Sequence, residues 1–344
     1  MRFVRVTSFV FLAACGAASA PVTQPGPSAG SPVHPASSGG GAHVSAPRSA
    51  SVSPGGAAER PAPAPPPSGN LTLAEARRYM VQLINRDRAT AGLPAVTLDD
   101  GPATVAGQAH ADDMARLGYL GHWGSDGSVP EQRYSEAGGR DIVFENAFCV
   151  TDEKKRPLDA SPRFSAADIE RAEAMFFDEV PPNDGHRKNI LGRFRRRVGI
   201  GIAVAKFDHE IPMPCIAQEF VESFGTYGEM PRGVRLGSKL HVAGTLGGEV
   251  KVGGVGVARI EEPRPLPAAE LNKRRVYPMP NTYAMYWPAG FRTPIEVNVH
   301  GQSFDIDVPM TDGGRKGLYE VSVWAKRPGD KDFAPVSLRT LRVD

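Results

Sequence analysis

Residues 185–201 read GHRKNILGRFRRRVGIG, and this stretch carries both a candidate functional histidine and a strand. The histidine, His186, follows Asn-Asp-Gly and begins a predicted helical segment at residues 186–191. The apolar run at residues 198–205 predicts a strand. A helix and a strand so close together indicate that elements of both kinds pack against each other in this part of the chain.

The sequence on either side continues the same alternation. Helical spacing predicts three longer helices, at residues 73–91, 103–117 and 165–180. Strand-like runs lie at residues 142–150, 198–205 and 215–224. Thr72 and Glu75 form a capping box that opens the first helix, and the Pro-Pro pair at 181–182 ends the third. Interleaved helices and strands predict an α/β layered domain at residues 70–228.

The apolar pattern changes to a period of two from residue 237 onward. Ile295, Val297 and Val299 alternate with polar residues, and turns of Gly, Pro or Asp separate at least six such runs. This pattern predicts an all-β, immunoglobulin-like sandwich at residues 229–344. Residues 317–321, GLYEV, resemble strand F of that fold. We assign this domain to adhesion or spacing.

The first 20 residues predict a lipoprotein signal peptide. Its nine-residue apolar run is too short for a membrane-spanning helix, which needs ~20 residues. Leu-Ala-Ala-Cys at 12–15 resembles a bacterial lipobox, which implies that Cys15 is lipidated. Gly16 stands where inner-membrane lipoproteins carry aspartate, which favours an outer-membrane anchor. The alternative is secretion after cleavage at residue 20; either route makes the mature protein extracytoplasmic.

Residues 21–69 connect this signal to the first domain. Pro, Gly, Ser and Ala make up 38 of these 49 residues, and none is aromatic. Such a sequence buries too little apolar surface to offset its chain entropy, so we expect a disordered tether.

The charge of the chain is nearly balanced, with 40 basic and 38 acidic residues. This balance gives no basic field for binding nucleic acid. Six basic residues lie close together, namely Arg187, Lys188, Arg193, Arg195, Arg196 and Arg197. Two interpretations stay open. The arginines pair with neighbouring acids, or they form a patch for anionic headgroups or cell-wall polymers.

Two histidines and one glutamate lie in unusual settings. His122 lies in Gly-His-Trp-Gly, where the glycines let the backbone turn and present the imidazole. His186 follows a glycine, and Glu179 falls on the apolar stripe of the third predicted helix, where an unpaired charge is costly. Imidazole and carboxylate together make a divalent-metal site or an acid–base pair. Surface histidines and a solvent-exposed glutamate are the alternative.

The order of several motifs resembles bacterial members of the CAP superfamily (SCP domain), the group of cysteine-rich secretory, antigen five and pathogenesis-related proteins. The motifs are INRDR at 84–88, GLP at 92–94, HADDM at 110–114, GH at 121–122, EN at 145–146, GHRKNIL at 185–191 and VGIG at 198–201. The resemblance implies an α-β-α sandwich with a cleft lined by two histidines and two glutamates. These correspond to His122, His186, Glu145 and Glu179.

The chain departs from the family pattern at several positions. Phe144 replaces the glycine before Glu-Asn, aromatic residues replace the tryptophan before Glu179, and the cysteine-rich tail of animal members is absent. Glu179 is the position most often missing in bacterial relatives. His110 shares a helix face with apolar residues, so we expect a structural role for it.

The remaining cysteines, Cys149 and Cys215, form an even pair. Because the mature protein is expected in an oxidising compartment, the sequence predicts a disulfide between them.

The resemblance implies a binding function more than a catalytic one. We expect the cleft to bind a small amphipathic or cell-envelope ligand, such as a lipid or a cell-wall fragment, with zinc or magnesium held by His122 and His186. A metal-dependent, peptidase-like hydrolase is the first alternative, although the chain has no HExxH and no GxSxG motif. A structural or adhesive envelope protein is the second. The oligomeric state stays open.

Overall fold

The structure, a computed structural model, describes residues 69–207, 213–274, 276–277 and 279–344. The predicted signal peptide, its lipidation site Cys15, and the tether up to residue 68 lie outside the described residues. Within the described ranges, no helix combines the length and the apolar character needed to cross a membrane.

The first domain consists of five helices and six strands among the residues described. The helices are α1 (Leu73–Thr90), α2 (Pro102–Leu117), α3 (Pro130–Glu136), α4 (Ala166–Phe177) and α5 (Gly185–Ile190). The strands are β1 (Asn70–Leu71), β2 (Thr97–Leu98), β3 (Ile142–Phe148), β4 (Phe164–Ser165), β5 (Arg195–Ala203) and β6 (Cys215–Glu222). The main sheet has the order β2-β5-β6-β3, in which only β2 and β5 are parallel.

The sequence of β5 sets the three layers of this domain. Val198, Ile200 and Ile202 lie in the core that the sheet forms with α1 and α4. Gly199 and Gly201 alternate with them and face α2, whose backbone comes so close that a Cβ on Gly201 would lie 2.0 Å from the Gly107 oxygen. Helices therefore cover both faces of the sheet, which confirms the predicted α-β-α sandwich.

The third predicted helix ends earlier than expected. Thr72 and Glu75 form the predicted capping box of α1, and Ser165 caps α4 as predicted. However, α4 ends at Phe177, so the prediction that Glu179 lies on a helical stripe was wrong. The physical reason is that a residue before proline is disfavoured in the helical conformation, which stops the helix before Pro181.

The predicted disulfide is present between Cys149 and Cys215. Its cysteines lie at the ends of the neighbouring strands β3 and β6, next to the pair Phe148 and Ile216. The bond therefore links one end of the edge strand β3 to the centre of the sheet.

The second half of the chain is a β-sandwich, as predicted. Its elements are β7 (Gly225–Tyr227), β8 (Gly233–Val234), β9 (Lys239–Leu246), β10 (Lys251–Arg259), α6 (Ala268–Leu271), β11 (Thr282–Tyr286), β12 (Asn298–His300), β13 (Ser303–Pro309), β14 (Gly317–Lys326) and β15 (Ala334–Val343). One sheet has the order β11-β10-β14-β15-β8 and the other β12-β13-β9-β7. Apolar side chains of both sheets meet in one core.

A tyrosine at the start of β14 gives this sandwich an immunoglobulin-like feature. The hydroxyl of Tyr319 donates a hydrogen bond to the carbonyl of Arg315 at 2.8 Å and lies 2.8 Å from the Asp312 carboxylate. A tyrosine that bonds back to the backbone a few residues upstream is the tyrosine corner of immunoglobulin-like domains.

Part of the basic run joins the two domains. Arg195 pairs with Glu222, which also accepts from Arg327 of the sandwich at 3.1 Å. Arg327 and Arg193 then share Asp330. Elsewhere in the run, Arg187 donates to a backbone carbonyl, Lys188 pairs with Asp184, and Arg197 pairs with Asp99 and Asp141. The contacts agree with the interpretation that these cations pair with neighbouring groups.

The close approach of α2 to β5 gives a stability prediction. We expect Gly201→Ala to lower the free energy of unfolding by about 1–3 kcal/mol, because the new methyl group meets backbone atoms that cannot rotate away. Chemical denaturation measures the change. Gly247→Ala is the matched control, since its nearest neighbour would be 3.6 Å away. Equal stability of the two variants would show that α2 can move off the strand without cost.

Candidate functional site

The first predicted pair of site residues is joined by a hydrogen bond. His122 lies in the loop after α2, and its Nδ1 is 2.8 Å from Oε1 of Glu145 on β3. The other carboxylate oxygen of Glu145 accepts from Arg133 of α3 at 2.7 Å. Glu145 is only 2% exposed, so Arg133 supplies the charge partner that a buried carboxylate needs.

These neighbours keep Glu145 ionised. Burial by itself raises the pKa of Glu145, but nearby His110 and Arg133, together with the hydrogen bond from His122, lower that pKa well below its ordinary value. Since Glu145 stays an acceptor, Nδ1 of His122 donates the proton of their hydrogen bond.

The backbone next to His122 is held by two further side chains. His110 on α2 lies with Nε2 2.8 Å from the Gly121 carbonyl, to which it donates. Arg133 donates to the carbonyl of His122 at 3.1 Å. Burial, followed by the charge of Arg133, lowers the pKa of His110 to about 4, so His110 is a neutral donor at neutral pH. These contacts agree with the predicted structural role of His110.

The second predicted pair has the same form. Nδ1 of His186 lies 2.6 Å from Oε1 of Glu179, and the backbone N–H of His186 donates to Oε2 at 2.9 Å. This N–H belongs to the first turn of α5, where no carbonyl of the helix can accept it. Glu179 therefore fixes both the imidazole and the start of the helix, from the loop after α4 instead of from a helix face. Phe176 packs edge-on against the His186 ring at 4.9 Å.

Strand β3 supports both pairs because its side chains alternate between the two faces of the sheet. Glu145 points toward α2 and α3, whereas the next residue, Asn146, points toward α5 and donates to the His186 carbonyl at 3.2 Å. Asn189 of α5 donates to Asn146 at 2.9 Å and to the Glu145 carbonyl at 3.1 Å. The dipeptide Glu145-Asn146 thus positions one histidine with each side chain.

The four predicted side chains are therefore arranged as two histidine–carboxylate pairs. In each pair the carboxylate lies within hydrogen-bonding distance of Nδ1. Over the described parts of the chain, no group of three or more His, Cys, Asp or Glu side chains is arranged to hold a metal ion. The metal role of His122 and His186 stays a prediction.

Sequence reasoning missed the acid on the strand next to Glu145. Glu219 of β6 lies directly opposite Glu145 in the ladder and is fully buried. Burial first, and then the charge of Glu145, raise the pKa of Glu219 well above its ordinary value, so this carboxyl is neutral. A glutamate within the largely apolar run of 215–224 was the available signal.

A segment of the sandwich covers the His122 loop. We call the described residues of 263–277, which connect β10 to β11, the strap. The amide of Leu266 donates to the Ser125 carbonyl at 2.7 Å, and Asn272 accepts from the amide of Leu120 at 3.0 Å. Leu271 is fully buried in a cluster with residues of α2. The strap is therefore packed into the first domain.

The strap ends in a tyrosine that contacts the site. The ring of Tyr277 lies edge-on to the His122 ring at a centroid distance of 5.5 Å, and its hydroxyl hydrogen-bonds the carboxyl of Glu131 on α3. Burial raises the pKa of Glu131 to about 7. Burial, followed by Glu131, raises the pKa of Tyr277 well above its ordinary value. Tyr277, one of several aromatic residues between β10 and β11, is therefore part of the wall of the His122 site.

The sequence of the first domain also matches a known family. Residues 81–210 match the sequence profile described as CAP, the cysteine-rich secretory protein family. The chain carries a CAP domain. The match includes His122, Glu145, Glu179 and His186, so both histidine–carboxylate pairs belong to the CAP domain.

One solved structure is similar over part of its length. It is a 1.5 Å crystal structure of an extracellular protein containing an SCP domain from Bacillus anthracis str. Ames. The likeness has 19% identity and a TM-score of 0.31, and it covers 45% of this chain and 45% of that chain. At this score it adds nothing to the assignment of the CAP domain. No curated protein matches the chain.

The contact between Tyr277 and His122 predicts how the CAP domain reacts with a histidine reagent. We expect Tyr277→Ala to increase the rate at which diethyl pyrocarbonate modifies His122 several-fold, because the tyrosine ring covers the imidazole. The rate at His186 serves as the internal standard, and Tyr283→Ala, which alters an exposed tyrosine of β11, is the control variant. Peptide mass spectrometry measures both rates. An unchanged His122 rate would mean that the strap leaves the imidazole accessible.

The raised pKa of Glu131 predicts a dependence of stability on pH. Between the ordinary value of 4.5 and about 7, the folded protein keeps this proton while the unfolded chain loses it. Rising pH therefore removes stability across this interval. We expect the melting temperature of the wild type, relative to Glu131→Gln, to fall over the interval and to level off on either side. Glu136→Gln, an exposed change on α3, should show no such trend; parallel curves for all three proteins would refute the assignment.

Proposed function

We propose that this protein is an extracytoplasmic binding protein whose CAP domain holds a small amphipathic or cell-envelope ligand at its two histidines. The observation that supports this most directly is the shared form of the two pairs. In each pair a carboxylate holds the imidazole through a hydrogen bond at Nδ1. Side chains held in one orientation before binding reduce the entropy cost of binding.

The carboxylates support binding more than catalysis because both are already engaged. Glu145 accepts from His122 and Arg133, and Glu179 accepts two N–H groups of His186. A carboxylate in this position orients a histidine.

The same geometry favours zinc over magnesium as the metal of this site. Neutral imidazole is a common zinc ligand, whereas magnesium prefers oxygen ligands. A carboxylate behind each histidine is the typical support of a zinc-bound imidazole. His122 and His186 supply two ligands where catalytic zinc sites usually have three from the protein, so we expect weak binding.

The disulfide supports a location outside the cytoplasm. Bonds such as that between Cys149 and Cys215 form and persist in oxidising compartments. From the disulfide and the predicted signal peptide together, we propose an envelope protein that is anchored through lipidated Cys15 and separated from the membrane by the tether at 21–69.

A metal-dependent hydrolase is the second candidate. The observation in its favour is that a histidine oriented by a carboxylate is also the arrangement of general acid–base catalysis. Peptide and ester substrates, assayed with and without a chelator, separate the two functions. Turnover that a chelator abolishes and zinc restores would replace the binding proposal by the hydrolase.

Calorimetric titration with Zn²⁺ tests the role of the histidines. We expect wild type to bind zinc and the double variant His122→Ala with His186→Ala to lose at least about tenfold in affinity, because both imidazoles are removed. The double variant His241→Ala with His300→Ala, which removes two exposed histidines of the sandwich, is the matched control. Equal affinity of the site variant and wild type would sink the metal proposal.

A further inference from the structure

A cavity of about 340 Å³ lies at the junction of the two domains, apart from the histidine pairs. Its walls come from both domains. The CAP domain contributes the start of the edge strand β3, at residues 142–144, and the sandwich contributes Met279, Pro335 and Leu338. Cavities of this size at domain interfaces are common places for small-molecule sites.

The arginines around this cavity outnumber the carboxylates that pair with them. Arg193, Arg195 and Arg327 line it, and the carboxylates that pair with them belong to Glu222 and Asp330. Each carboxylate is shared between two arginines. Three guanidinium groups on two carboxylates leave one positive charge unbalanced beside the cavity.

Two aromatic rings and one acid complete the wall of the cavity. Phe144 lies under the guanidinium of Arg195 at 3.7 Å, and Phe194 lies near Arg193 and Arg327. At another part of the wall, Glu131 presents a carboxyl group that is protonated below its pKa of about 7. The cavity therefore combines apolar and aromatic surfaces with a net positive charge at the arginines.

We propose that the junction cavity is a second ligand site of this protein, for a small organic anion with a flat apolar body. The anionic group faces the arginines, and the apolar body lies between Phe144 and Leu338. This site is distinct from the cleft of His122 and His186, and it requires both domains, since each supplies one wall. The sandwich thereby forms half of a binding site.

A matched pair of fluorescent probes tests this proposal. The anionic probe is 8-anilinonaphthalene-1-sulfonate, and N-phenyl-1-naphthylamine is the same ring system without the sulfonate. We expect saturable binding of one anionic probe per protein at about pH 6, where Glu131 is largely neutral. The neutral probe should bind about tenfold more weakly, because it has no charge to meet the arginines.

Two variants locate the site. Leu338→Trp should weaken the anionic probe by about tenfold or more, because the indole fills the cavity. Arg327→Gln should weaken the binding of the anionic probe and leave the binding of the neutral probe unchanged. Val105→Trp and Arg292→Gln, both at exposed positions, are the matched controls. If Leu338→Trp does not fold, the Arg327→Gln comparison between the two probes still decides the question.

The outcomes are separate from those of the zinc experiment. The variant with His122→Ala and His186→Ala should bind the anionic probe as wild type does, whether or not zinc binds. Binding of several probes per protein, equal affinity for the neutral probe, or wild-type affinity in both cavity variants would overturn the proposal.

Discussion

The close contact between α2 and β5 is the constraint on which the CAP domain depends. Gly199 and Gly201 remove the side chains that would separate the helix from the strand, so the α2 backbone lies directly on the sheet. That position allows His110 of α2 to reach the Gly121 carbonyl. The next residue is His122, whose imidazole then meets Glu145 on β3. A larger side chain at position 199 or 201 of β5 would move α2 outward and disturb the hydrogen bonds of the loop that carries His122.

The second constraint is electrostatic. A buried Glu145 carboxylate needs a cation, and Arg133 supplies it from α3, while the opposite acid Glu219 stays neutral. The sandwich contributes a side chain to the same region, since Tyr277 contacts both His122 and Glu131. The domains share further ion pairs through Arg195 and its neighbours. The β-sandwich is therefore a structural part of the His122 site as well as a separate domain, which the predicted role as a spacer did not include.

Local sequence patterns predicted most of the fold, but they did not predict how the site residues are held in place. The capping box at Thr72 and the period of two from residue 237 depend on neighbours in the chain, and both were confirmed. The prediction placed the end of α4 too late, because it followed the apolar stripe to Glu179 and took the later proline pair as the end of the helix. It did not allow for the residue before a proline, which is itself disfavoured in a helix. Arg133 was missed because nothing in its local sequence marks an arginine as the partner of an acid on another element.

The sequence by itself determined the two layered architectures, the cysteine pair and the four side chains that form the histidine–carboxylate pairs. The architectures follow from periodicity and from turn and cap residues, which act over short stretches of chain. The cysteine pair follows from its even count, and the four site residues follow from their resemblance to the CAP motifs. Only the tertiary structure decided that the site residues form two pairs supported by Glu145 and Asn146 on opposite faces of β3, that the pKa of Glu219 is raised, and that Tyr277 closes one side. The physical reason is that burial and charge pairing depend on which distant residues the packed layers bring into contact.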